Sequence, residues 1–152
     1  MPSVAERKVM TDFIEQKIIS AIKELLSKRV NEILNEAIYK ILLIEFGNYE
    51  AVNKVSPKVE LTTCERTEKE RILQIDTYSL TITLEIKETA ESELFCYTYA
   101  NAVKRAIKEN PTLNGVADRA VITTSKYISP KKPNCGECWG LVMSLRITTG
   151  GC

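Results

Sequence analysis

Histidine is missing from all 152 residues. Its absence removes the commonest general base near neutral pH, the commonest neutral metal ligand, and any Ser-His or Cys-His nucleophile pair. An excess of either charge is missing too: 21 Lys and Arg stand against 20 Asp and Glu, for a net charge of +1. Nucleic-acid binders usually gather a basic surplus on one face, so the balance argues against DNA or RNA as the main ligand, and no sequence-specific nucleic acid is expected. No apolar run is long enough for a membrane-spanning helix. The opening Met1-Pro-Ser-Val-Ala-Glu-Arg-Lys8 has no apolar signal-peptide core, so residence in the cytoplasm, away from membranes, is expected. Five cysteines cannot all pair within one chain, and a reducing compartment keeps thiols free.

Two stretches alternate apolar and polar residues almost without error. In Tyr78 to Ile86 the apolar positions are Tyr78, Leu80, Ile82, Leu84 and Ile86; in Trp139 to Ile147 they are Trp139, Leu141, Met143, Leu145 and Ile147. A period of two means strands with one buried face, hence an antiparallel sheet covered on one side. A chain of this length folds as a single domain and can bury about 70% of its unfolded surface, so its core requires neither disulfide nor metal.

The segment 1–47 reads as helical. Capping boxes at Ser3-x-x-Glu6 and Asp12-x-x-Glu15 offer two starts, Gly47 a stop, and Ile18, Ile22, Leu26, Val30, Ile33, Ala37, Ile41 and Ile44 recur at helical spacing. One continuous helix would run about 50 Å; a break near Asn31 to Asn35 is the alternative. The sheet-and-helix core spans 55–150. Its first strand places Val59, Leu61 and Thr63 on one face, and a polar turn or extended loop runs from Glu65 to Glu70. A change of apolar parity between Ile75 and Tyr78 predicts a bulge or bend near Asp76-Thr77. A second helix follows, acidic first and basic last, with Leu94, Phe95, Tyr99, Ala102, Val103, Ala106 and Ile107 as its apolar face. After the turn at Leu113-Asn-Gly115 come a strand over Arg119 to Ile128, an exposed loop from Ser129 to Cys138, and the last strand. The fold class is therefore α+β, a four-stranded antiparallel sheet with helices on one face in the order α-β-β-α-β-β.

Chemical signatures are weak. Cys135-Gly-Glu-Cys138 has half the spacing of a zinc knuckle, but no second pair and no histidine completes four ligands. As a redox pair it sits in a loop rather than at a helix N-terminus. Incidental loop cysteines are the simplest reading, and a monomeric adaptor built on this loop is an alternative function. Asp76 with Glu85-Ile-Lys87 has the residue types of metal-dependent nucleases, in which carboxylates hold Mg²⁺ and a lysine assists water. Glu85 and Lys87 also fit the solvent face of an amphipathic strand. Lys131 and Lys132 near Trp139 form a small basic pair. As a long, exposed hairpin loop, the segment carrying Ser129, Lys131, Lys132 and Asn134 is the candidate contact surface.

The run Leu73-Gln-Ile-Asp-Thr-Tyr-Ser79, the alanine- and tyrosine-rich Tyr97-Thr-Tyr-Ala-Asn-Ala-Val-Lys-Arg-Ala-Ile107, the Leu113-Asn-Gly115 turn and the closing hairpin with its long loop resemble tail terminator proteins of long-tailed phages. The tail-to-head joining and tail completion proteins are similar. The resemblance covers about residues 55 to 150 and rests on element order and these residues; the N-terminal helix is longer than the pattern requires. It implies a non-enzymatic structural protein of a phage or prophage tail, without catalytic residues or cofactor. Such proteins form a ring, commonly a hexamer, that caps the tail tube and meets head connector proteins. The expected location is the bacterial cytoplasm during assembly and then the virion tail.

Overall fold

The computed structural model describes residues 13–46, 54–69, 73–87, 91–130 and 138–150. Helix α1 has three joined pieces: α-helix Ile14–Leu25, a π-helical turn Leu26–Val30, and α-helix Asn31–Leu34. Two short strands, β1 (Leu43–Ile44) and β2 (Lys54–Val55), pair in parallel. The main sheet comprises β3 (Lys58–Lys69), β4 (Leu73–Lys87), β5 (Arg119–Ile128) and β6 (Cys138–Thr149), with α2 (Ser92–Glu109) between β4 and β5. Its strand order is β3-β4-β6-β5, antiparallel throughout. The α+β architecture expected from the sequence is present, with the small β1–β2 pair as an addition.

Alternation in β4 and β6 places one parity of side chains in the core. Tyr78, Leu80, Ile82, Leu84 and Ile86 lie buried beside Leu141, Met143, Leu145 and Ile147, while Trp139 is half-buried at the margin. Helix α2 lies over β6 and β5 through Cys96, Tyr99, Val103, Ala106 and Ile107, whereas α1 reaches β3. Alanines at 100, 102 and 106 on α2 are also buried. Such small side chains allow the helix backbone to approach its neighbours closely.

The buried residues of α1 are Ile18, Ile22, Leu26, Val30 and Leu34, an unbroken step of four. Four residues of α-helix turn about 400°, so each step overshoots a full circle by about 40°. Four such steps would carry Leu34 about 160° round, nearly to the opposite side of the helix from Ile18. The π-helical turn, whose bonds skip one residue further, underwinds the helix at Leu26–Val30 and keeps the stripe on the core. Helix α1 then ends at Leu34, inside the expected break, and residues 35–46, also expected to be helical, turn back through β1, while the expected starts at Ser3 and Asp12 and the stop at Gly47 lie outside the described residues. Tyr99 donates its hydroxyl proton to the Leu42 carbonyl and fixes that return.

The parity change sits elsewhere than the sequence suggests. β4 runs without a bulge from Leu73 to Lys87, and Ile75 lies half-buried on the outer face opposite Thr67. The irregularities fall on the two edge strands, at Thr62 in β3 and Thr123 in β5. Each threonine Oγ1 donates to a carbonyl of the adjoining strand, Ser79 and Ser144 respectively, both at 3.1 Å. Past Thr62 the faces exchange, so Thr63 pairs with Ser79 on the outer face and leaves the side of Val59 and Leu61. The hairpin is also longer than expected, since Glu65 to Lys69 continue β3.

Candidate interaction surface

The most distinctive surface runs along α2 and edge strand β5. Its first half is apolar: Tyr97 and Tyr127 meet edge to face with ring centroids 5.0 Å apart, and Leu94 and Ile128 are also exposed. Leu94, expected on the inner face of the helix, is 47% exposed, and Phe95 is half-buried with its ring 5.9 Å from that of Tyr39. Register explains the difference. Cys96, Tyr99 and Val103 already point at the sheet, and 94 lies too far round the helix to join them.

The second half of this surface is a cleft of about 320 Å³ between the end of α2 and the start of β5. Its floor is Ile107, Ala120 and Ile122, and Lys104, Lys108 and Arg119 stand at its walls. None of these three cations belongs to an ion pair among the described residues. Three unpaired cations around an apolar floor suit an anionic group carried on an apolar body. Lys104 and Lys108 belong to the basic end of the helix, which its dipole favours. Their four-residue spacing was the available signal, but Arg119 joins them only through the fold.

Elsewhere, charge is used to hold elements together. Arg29 binds Glu109 with two hydrogen bonds, of 2.7 and 3.0 Å, and Arg105 bridges Glu109 and Glu36, so α1 and α2 are tied. The Arg29 guanidinium, with Arg105 beyond it, holds Glu109 below the usual carboxylate range. At the β3 edge of the sheet, Arg66 binds Asp76 at 2.8 and 3.2 Å and lowers the Asp76 pKa. Beside it the Tyr78 hydroxyl donates to Glu15 at 3.4 Å; burial first, then Cys64 and the nearby carboxylates, raise its pKa.

The residues named from sequence are scattered. Asp76 shares the helix-side face of β4 with Tyr78, whereas Glu85 and Lys87 point to the outer face, nine and eleven positions along. Nine strand residues span about 30 Å. Asp76 and Glu85 therefore cannot share one metal ion. Cys138 opens β6 opposite Lys87, and Ser129 is exposed just beyond β5. Lys131, Lys132, Asn134 and Cys135 lie outside the described residues. Among the described residues no group of three His, Cys, Asp or Glu could hold a metal ion, and no helix is long and apolar enough to cross a membrane.

No protein-family model matches the chain, and no curated protein matches it in sequence.

Proposed function

We propose that this chain is a non-enzymatic structural protein of a phage or prophage tail, of the terminator kind, acting as a ring that caps the tail tube and joins it to the head connector. It would assemble in the host cytoplasm and remain in the virion. The observation that carries the reading is the order α-β-β-α-β-β around a sheet covered on one side only. The positions of the residues quoted for the resemblance support the reading. Leu73 to Ser79 open β4, Tyr97 to Ile107 form the body of α2, and the final hairpin is β5–β6. Leu113, Asn114 and Gly115 make a turn with three successive positive φ angles of 51°, 59° and 87°. A bulky leucine in that region is uncommon, and burial of Leu113 holds it there.

The nuclease alternative loses support, because Asp76 and Glu85 lie far apart on opposite faces of one strand. The test is the absolute mass in solution, by light scattering across concentration with and without a zinc chelator. A closed oligomer of defined mass, unchanged by the chelator, is expected. A monomer at every concentration would favour the adaptor built on the Cys135 to Cys138 loop, and a chelator-sensitive assembly would instead give zinc at Cys135 and Cys138 a part in holding it together.

A further inference from the structure

The two edges of the sheet carry opposite characters. At the β5 edge, α2 and β5 present Tyr97 and Tyr127 followed by the unpaired Lys104, Lys108 and Arg119. At the β3 edge, α1 and β3 present the exposed Phe13 and two carboxylates, Glu15 and Glu65, that join no ion pair among the described residues. Two cations there are already engaged, Lys58 with Glu60 at 2.6 Å and Arg66 with Asp76 at 2.8 Å, while Lys17 on α1 joins no ion pair among the described residues. One edge therefore offers three unpaired cations beside aromatic rings, and the other offers two unpaired carboxylates against the single unpaired Lys17, beside an aromatic ring. They stand at opposite ends of a four-stranded sheet.

We propose that the α2–β5 face of one copy docks on the α1–β3 edge of the next, with Lys104, Lys108 and Arg119 meeting Glu15 and Glu65. The proposal rests on the ring reading above and assigns the interface within it. Complementary patches on different parts of one molecule make a head-to-tail contact, which closes into a ring when its rotation permits. The contact runs through side chains. Bulges at Thr62 and Thr123 interrupt both edge strands, and bulged edges resist continuation of a sheet into a neighbour. Charge complementarity sets the register of such a contact and suppresses wrong pairings.

A charge-swap pair of full-length variants tests this. The first carries Lys104→Glu and Arg119→Glu, giving two acidic edges; the second carries Glu15→Lys and Glu65→Lys, giving two basic ones. Circular dichroism melts verify that each remains folded. By light scattering up to millimolar protein, each variant alone is expected at the mass of the 17.1 kDa chain. An equimolar mixture is expected to regain the wild-type oligomer, because acidic and basic edges then alternate. If wild type forms a ring that either variant alone also forms, or if the folded variants do not associate on mixing, the interface is wrong and the ring reading survives. Open polymers that dissociate in both variants and return on mixing keep the interface and overturn the ring. Wild type that stays monomeric at millimolar concentration overturns both.

Discussion

The side chain of Asn31 binds the backbone of Ile44 as a neighbouring strand would. Asn31 Nδ2 donates to the Ile44 carbonyl at 2.9 Å, and the Ile44 N–H donates to Asn31 Oδ1 at 2.8 Å. The same Nδ2 donates to the Ser27 carbonyl, within the π-helical turn, at 2.9 Å. One amide thus links a helix irregularity to a strand only two residues long.

Replacing Asn31 with alanine leaves the backbone N–H and C=O of Ile44 without these partners, in a residue only 3% exposed. The expected cost is about 1–3 kcal/mol, read from the urea midpoint at constant slope. Asn31→Asp keeps the acceptor for the Ile44 N–H but loses both donated bonds, and is expected to recover only part of that loss. An alanine variant as stable as wild type would mean that β1 does not depend on this amide.

The continuous register of β4 makes two isoleucines seven positions apart unequal. Ile82 is fully buried between Val59 and Met143, so Ile82→Ala is expected to cost about 2–5 kcal/mol. Ile75 is half-buried on the outer face, and Ile75→Thr is expected to change stability by only about 0.5 kcal/mol. Comparable large losses at both sites would place a bend between them.

That pair also marks what could be read from the sequence. Tyr78 to Ile86 and Leu141 to Ile147 announce their burial because every second residue agrees. Ile75 misleads because a lone apolar residue on an open sheet face looks like a change of phase. The real bulges lie at threonines, ordinary strand residues whose hydroxyls fill the gap by bonding to Ser79 and Ser144. The end of α1 was harder to locate, since a strict four-residue stripe fits a long helix as well as an underwound one. The basic cleft was invisible for another reason: Arg119 is eleven residues beyond Lys108, and only the left-handed turn at Leu113 to Gly115 brings them together.

Acid should loosen the joints between elements. Glu109 is held below its ordinary value of 4.5 by Arg29, and Asp76 below 3.8 by Arg66. Carboxylates with depressed folded-state pKa values contribute stability that is full above the ordinary value and is lost as pH falls through it toward the lower one. Thermal midpoints should therefore hold between about pH 7 and 5 and decline below about pH 4.5. The Arg29→Gln variant should be less stable at neutral pH and should decline less steeply. Parallel curves for the two proteins would remove Arg29 from the acid response.

The cysteines provide a direct probe of how α2 sits on the sheet. Cys96 is fully buried, and burial, with the Glu93 carboxylate adding to it, pushes its thiol up to about 11. At pH 8 such a thiol is about one part in a thousand thiolate, and thiolate is the reactive form. Cys64 is exposed on β3. In the folded protein, iodoacetamide should therefore label Cys64 within the time that leaves Cys96 untouched, as read by peptide mass mapping. Cys96 should become labelled only through opening of α2, with a rate that rises with urea as the protein unfolds. Labelling of Cys96 as fast as Cys64 without denaturant would mean that α2 does not seal this part of the core. It would also undo the placement of Tyr97, Lys104 and Lys108 along the same helix.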